Sequence, residues 1–250
     1  MGALDGKKAV VTGGSRGIGA ASAKALAAAG AEVLLTWRQN RALADGVVRD
    51  IRAAGGRALA VELNAVAAPS VQALAARATQ ELGRVDVLFN NVGDLVRRTP
   101  LADCTAELYR EIMDVNVLSA LLVTRALLEL IPPGGVIVNM SSVAARTGGG
   151  PGAALYAAAK AAVQGLTRGW ARELGPRGLR VFAVAPGVVE TDFHQRHSTP
   201  EFMAQSARAS LVGKVGVPGD VARTVVYLAG EGNGFMTGVT IDINGGIAML

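Results

Sequence analysis

The chain has 250 residues, half of them hydrophobic and only 4% aromatic, with 32 glycines and a formal charge of +5. That length buries a sizeable core without staples, and its scattered basic residues, clustered no further than the pairs Lys7-Lys8 and Arg97-Arg98, speak for an anionic small ligand and against nucleic acid. The single Cys104 has neither a disulfide partner nor metal-ligand neighbours, the amino terminus carries no apolar signal segment, and the most apolar stretch, residues 117–131, is short for a membrane span and holds Arg125; a cytoplasmic protein that binds no metal is expected.

Short β-branched runs alternate with Ala-rich amphipathic runs from end to end, with no linker between them. This is the pattern of an α/β fold, one domain with a parallel sheet covered by helices. Strands are predicted at residues 9–12, 32–36, 57–62, 85–90, 135–140, 179–185 and 239–243. Helices are predicted at about 17–29, 41–54, 70–82, 105–131, 156–175 and 219–229.

The first crossover carries TGGSRGIG, residues 12–19, directly after an apolar strand and before an Ala-rich helix. Glycines let the backbone turn and approach a pyrophosphate, and free amides at a helix start attract the anion. Gly13, Ser15, Arg16, Gly17, Ile18 and Gly19 therefore form a candidate dinucleotide site; an ordinary turn needs one glycine. An acid near the end of the second strand would hold an adenine ribose hydroxyl, but this chain has Thr36-Trp37-Arg38-Gln39-Asn40 there. No acid repels a 2'-phosphate, and Arg38, with Arg16, can bind one; NADP(H) is expected over NAD(H).

After the third strand, Asn64 can meet an adenine edge, and after the fourth comes NNVG, residues 90–93, at the edge where open α/β sheets bind ligands. Both also read as plain turns. Asn116 lies in an apolar helix, so its amide either caps a neighbouring strand or holds water in a site. In SSVAARTGGGPGAALYAAAK, residues 141–160, Tyr156 and Lys160 are one helical turn apart, so an ammonium can act on a phenol whose free pKa is near ~10, with Ser142 as a second donor. Taken alone, that spacing also arises by chance on an Ala-rich helix.

Six motifs in order, TGGSRGIG, NNVG, Asn116 in its helix, NMSS ending at Ser142, YAAAK from Tyr156 to Lys160, and APGVVET at residues 185–191, resemble the short-chain dehydrogenase/reductase family over essentially the whole chain. The resemblance implies a single NAD(P)-binding Rossmann domain over residues 1–250, its seven-stranded parallel sheet flanked by helices on both faces, with a substrate lid at about 192–215. It implies that Tyr156 exchanges the proton and that Ser142 holds the substrate oxygen. Lys160 would bind the nicotinamide ribose and lower the phenol pKa, and Asn116 would hold a water for proton return. Pro186, Gly187, Val189 and Thr191 would seat the nicotinamide, and Asn91 and Gly93 would wall the cofactor groove.

Among members, the chain is similar to bacterial 3-oxoacyl-carrier-protein reductases, which implies reduction of a 3-oxoacyl thioester or similar ketone, with Arg172 or Arg177 available to an acidic carrier protein. The turn IPPGG lacks the basic residue often found before the fifth strand, so dehydrogenation of a sugar, steroid or other secondary alcohol stays open, as does a non-catalytic NADP-binding regulator. Further departures are Val92 and Phe182, where the family has Ala and Asn, and a GGGPG stretch that lengthens the gap from Ser142 to Tyr156 to 14 residues. In the lid, Phe193, Phe202 and Met203 suit a moderately hydrophobic ketone, while His194 and His197 are read as surface or lid-packing residues. A homotetramer is implied too, with the apolar end Ile247-Ala248-Met249-Leu250 near one interface.

Overall fold

The strands follow from short Val- and Ile-rich runs whose side chains are buried alternately on the two faces of one sheet. The computed structural model describes residues 2–249 and holds β1 (Lys8–Val11), β2 (Glu32–Trp37), β3 (Arg57–Glu62), β4 (Val87–Asn90), β5 (Val136–Met140), β6 (Arg180–Pro186) and β7 (Thr240–Ile243). All pair in parallel, in the order β3-β2-β1-β4-β5-β6-β7. The predicted seven-stranded parallel sheet is therefore correct, with ends shifted by one or two residues.

Covering helices are α1 (Gly17–Ala28), α2 (Arg41–Ala53), α3 (Ala68–Leu82), α4 (Ala106–Met113), α5 (Ser119–Leu127), α6 (Ala144–Thr147), α7 (Ala154–Leu174), α8 (Asp192–His197), α9 (Pro200–Ala209) and α10 (Pro218–Ala229). On one face Ala9, Val11, Val33, Leu35, Phe89 and Phe182 pack with Leu26 of α1, Val47 of α2 and Val225 of α10. On the other, Val10, Leu34, Leu88 and Ile137 meet Leu74 of α3, Val123 of α5 and Leu174 of α7. Phe182, fully buried, occupies a core position, and truncating it to Ala would cost ~3–5 kcal/mol.

Local chemistry sets the helix ends. Asn40 accepts from the Leu43 amide to start α2, Thr105 accepts from Leu108 to start α4, and α3 stops at Gly83 with φ 73°. The continuous helix expected over 105–131 is corrected: α4 and α5 are separated by a π-helical turn, Asp114–Leu118, and a 3-10 turn, Leu128–Leu130, ends the run. The cause is Asn116, whose side-chain amide donates to the Ile112 carbonyl (2.9 Å) and to the Asp94 carbonyl (2.7 Å) outside the helix. A π-turn of this kind reorients one side chain inside a helix.

The order places β1 between β2 and β4, so the chain reverses direction of travel there, and the loops after β1 and β4 meet at the carboxyl edge of the sheet. Leu250 of the apolar carboxyl-terminal end lies outside the described residues. Among the described residues no helix is long and apolar enough to cross a membrane.

Candidate active site

Two loops make the floor. The Thr12 hydroxyl accepts from the amides of Asn91 (2.9 Å) and Val92 (3.2 Å), and the Asn91 side chain donates back to the carbonyls of Thr12 (3.0 Å) and Gly13 (3.1 Å). The Gly13 amide donates to the Thr36 hydroxyl (3.0 Å), so β1, β2 and β4 are laced together below the glycine turn. Gly13 and Gly17 have φ 62° and 53°, a conformation other residues resist. This floor carries Gly13, Ser15, Ile18 and Gly19, with Gly187 across the edge, where its amide donates to the Ile243 carbonyl (3.0 Å).

Arg38 is exposed at the end of β2, whereas Arg16 faces Asp192 of α8 at 3.7 Å. The two arginines sequence reasoning treated as a pair thus have different surroundings. Asn64 follows β3, with its backbone amide held by the Ser70 hydroxyl (2.9 Å) and its side-chain oxygen buried without a protein partner. Asn90 instead points into the fold, donating to Thr124 (2.8 Å) and Asn139 (2.9 Å).

The reactive cluster gathers around Gly93. A Cβ placed on Gly93 would lie 2.6 Å from both the Asn116 side-chain oxygen and the Lys160 ammonium, so only glycine lets these two groups share the space. Lys160 is 1% exposed and donates to the Met140 carbonyl at 2.9 Å. The Asn116 side-chain oxygen is buried without a protein partner, which leaves an acceptor aimed into the site. Tyr156, one turn before Lys160 on α7, has the ammonium 5.6 Å from its ring centroid, and the Ser142 hydroxyl acts on its phenol to favour the charged form. Ser142 stands at the start of the segment leading into α6, where its oxygen accepts from the Ala144 amide (3.1 Å). Pro186 ends β6, and Val189 and Thr191 lead into α8 with the Thr191 hydroxyl donating to Val189 (3.2 Å).

Electrostatically the protein environment opposes charge on both groups of the pair. Burial pushes the Tyr156 phenol up to about 12 against the lowering effect of Ser142, with the Asp94 charge adding to the rise. Burial brings the Lys160 ammonium down to about 7, partly offset by Asp94. The lowered phenol pKa expected from the Lys160 spacing is absent here, because burial and the Asp94 charge outweigh Ser142, which alone acts to lower it.

Sequence reasoning missed Asp94. Desolvation, which would raise its carboxyl, is outweighed by hydrogen bonds from Arg196 (3.0 Å) and His197 (2.9 Å) of α8, which hold it below the ordinary range. Its backbone carbonyl meanwhile receives Asn116, so one residue joins the 192–197 helix to the π-turn. Val96 nearby has φ 65°, and the Arg97 amide donates to the Leu95 carbonyl (2.8 Å) across it, a strained γ-turn for a β-branched residue. Nothing local in sequence marks that turn. α9 did carry a signal, Thr199-Pro200-Glu201, a capping threonine followed by proline at the first helical position.

Over this edge lie two cavities. One of about 880 Å³ separates α1, at Gly17, Ala20 and Lys24, from Thr191, Asp192 and His194. The other, about 640 Å³, is walled by Val96, Arg98, Pro151, Arg196, His197 and Phe202. Phe193 links the second to the reactive cluster, with its ring 5.9 Å from Tyr156 and 4.9 Å from His197. His194 packs against Phe193 and Phe202, and its imidazole is brought down to about 4 by burial and by the charges of Arg98 and His197. Among the described residues no group of three or more His, Cys, Asp or Glu side chains is placed to hold a metal ion.

A parallel sheet in this order, with a glycine turn at its reversal point and a Ser, Tyr and Lys grouped at the same edge, defines a nucleotide-dependent oxidoreductase. A family model described as enoyl-(acyl carrier protein) reductase matches residues 13–248. A 3-oxoacyl-[acyl-carrier-protein] reductase of Synechocystis is 39% identical over 252 aligned positions, covering all of both chains. A dehydrogenase/reductase of Sinorhizobium meliloti superposes with TM-score 0.93 at 39% identity, over 98% of this chain and 96% of that one. A short-chain dehydrogenase of Burkholderia cenocepacia solved with NADP superposes with TM-score 0.90 at 37% identity, over 98% of each. The chain belongs to the short-chain dehydrogenase/reductase family, and is an oxidoreductase acting on alcohol and carbonyl groups.

Proposed function

We propose that this enzyme is an NADP(H)-dependent ketone reductase in which Tyr156 gives the substrate oxygen its proton. The observation that carries the reading is the meeting of Tyr156, Ser142, Lys160 and Asn116 around Gly93, at the edge where the glycine turn opens. When bound, the dinucleotide supplies the hydride. Ser142 and Tyr156 then hold the carbonyl oxygen between two hydroxyl donors, and the phenol transfers its proton as negative charge develops. Lys160 stands behind the phenol, and the unpartnered Asn116 oxygen is suited to a water that returns the proton. In the opposite direction the same groups take a proton from a secondary alcohol.

Several features fit the dinucleotide. The orphaned Asn64 oxygen suits an adenine amino group, the glycine turn leaves room for a pyrophosphate, and Gly93, Asn91, Pro186, Gly187, Val189 and Thr191 border the groove toward the phenol. Preference for NADP(H) rests on Arg38, which is exposed and has no carboxylate within ion-pair distance among the described residues. The Burkholderia relative's NADP supports the same assignment. Arg16 reaches the phosphate only by exchanging Asp192 for it.

For the substrate, the Synechocystis relative supports a 3-oxoacyl thioester or a similar ketone. Of the two arginines offered to an acidic carrier, Arg172 is exposed, while Arg177 is engaged with Glu129 at 3.1 Å. Segment 192–215 acts as the lid, held down at α8 by Asp94. Fully exposed Phe235, with exposed Tyr227 and Met249, supports a homotetramer.

A panel of ketones and acyl thioesters assayed with NADPH and NADH tests the reading. Reduction by the wild type that falls ~10²–10⁴-fold in Tyr156→Phe supports it. NADPH binding without turnover of any carbonyl would make the chain a binding protein instead.

A further inference from the structure

The cavity beside Phe193 is lined by three guanidinium groups, Arg97, Arg98 and Arg196, and by His197, and among the described residues by no carboxylate. Most of that charge is answered from outside its wall. Arg196 and His197 face Asp94, and Arg97 faces Glu111 at 3.8 Å. Arg98 has no carboxylate within ion-pair distance among the described residues. Its nitrogens donate only to neutral carbonyl oxygens, Nε to His197 (3.1 Å) and Nη1 to Pro151 (3.0 Å), and its guanidinium sits 6.0 Å from the Phe202 ring centroid. These contacts fix an exposed group and leave it without a carboxylate partner.

The GGGPG stretch builds this seat. Gly152, at φ 73°, receives the Thr99 amide on its carbonyl (2.9 Å), and a Cβ there would come within 2.8 Å of the Thr99 nitrogen and 3.1 Å of the Arg98 Cβ. A Cβ on Gly150 would stand 3.5 Å from Arg98 Nη1. The glycines let the rim close on the 98–99 backbone and hand the Pro151 carbonyl to the guanidinium. Val96 lines the cavity and also packs in the apolar cluster that includes Tyr156, and the Phe193 ring stands between Tyr156 (5.9 Å) and His197 (4.9 Å), so the cavity adjoins the phenol across Val96 and Phe193. The depressed imidazole of His194 reports, after burial, the charge of Arg98.

We infer that the substrate carries an oxyanion, a carboxylate or a phosphate, several bonds from the reacting carbonyl, and that Arg98, seated by the GGGPG rim, binds it. This rests on the reductase reading above and names the substrate class of that same site. A cavity of about 640 Å³ next to the reactive cluster is large enough for the anionic end of a small substrate, which reaches the phenol past Phe193 in this proposal.

The test compares 6-oxoheptanoate, its methyl ester and 5-oxohexyl phosphate with NADPH, in wild type, Arg98→Gln and Gly152→Ala. Wild type is expected to favour the acid or the phosphate over the ester by about tenfold or more in kcat/KM, the better of the two identifying the anion. Arg98→Gln should bring that ratio close to one. Gly152→Ala, which keeps the arginine and disturbs its seat, should lower the ratio part of the way. An ester reduced as well as both anions, or an anion preference that survives Arg98→Gln, overturns the inference and leaves the reductase reading standing. No reduction of any of the three by wild type, while another ketone or thioester of the panel is reduced with NADPH, overturns the inference alone; no turnover of any carbonyl overturns the reductase reading with it.

Discussion

The two sides of the carboxyl edge are built from different materials. On the cofactor side, Thr12, Gly13, Thr36 and Asn91 are joined by backbone amides, carbonyls and short side chains at the ends of buried strands. On the substrate side, Asp94, Arg98, Arg196 and His197 are joined by long polar side chains between a strained loop, a glycine rim and short helices. Backbone lacing fixes the position at which the dinucleotide is proposed to bind. Side-chain ties fix a shape that a few substitutions can rewrite. On the proposed function, the division of labour is between a backbone-laced cofactor half and a substrate half tied by side chains.

Substitutions on each side should differ in kind, and the largest effects belong to the cluster where the halves meet. Lys160→Met is expected to cut kcat/KM by ~10³-fold while raising the thermal midpoint of the ligand-free protein, because it removes a buried cation held down at about 7. The sign follows from linkage: with its folded pKa below the unfolded value, Lys160 destabilises the fold below pH 7, and the penalty fades as pH rises toward 10.5. A midpoint that drops at pH 6 would contradict the assigned burial cost. Gly93→Ala, which drives a methyl onto Asn116 and Lys160, should lower kcat by ~10²-fold with a smaller change in fold stability.

Farther from the cluster the effects shrink and separate. Arg38→Asp should reduce the ratio of NADPH to NADH affinity by ~10–100-fold and leave the choice of ketone alone; an unchanged ratio would break the cofactor half of the comparison. Asp94→Asn should do the reverse, raising KM for the ketone several-fold by loosening α8 from the 94–96 loop while the cofactor ratio holds. Dissociation constants for both dinucleotides, measured beside ketone kinetics, would score the two variants together.

The same division explains what could be read from the residues alone. The seven strands were legible because parallel strands buried on both faces are continuous apolar runs, and the glycine turn because it sits between a strand and a helix. Tyr156 and Lys160 were legible because helical spacing fixes their common face. The π-turn at Asn116 was not, since it depends on the Asp94 carbonyl, 22 residues away. Nor were the ties of Asp94 to Arg196 and His197, which span 102 and 103 residues and depend on how the lid segment folds back. The Arg97-Arg98 pair was visible only as a short basic run; that Arg97 meets Glu111 while Arg98 meets the Pro151 carbonyl and no carboxylate depends on the fold. The phenol pKa misled for a related reason, since spacing shows the cation but not the burial that opposes it.

The proposed proton transfer is tested most directly by the pH dependence of kcat/KM in both directions, for wild type and Tyr156→Phe. Alcohol oxidation needs the phenolate, and with the phenol at about 12 the phenolate fraction rises about tenfold per pH unit, so oxidation by wild type should climb with a slope near one between pH 7 and 9. Ketone reduction draws on the protonated phenol and should stay level over that range, and the residual activity of Tyr156→Phe should lack the oxidative climb. An oxidation profile that is flat in wild type, or a climb that persists without the phenol, would contradict Tyr156 as the group that moves the proton.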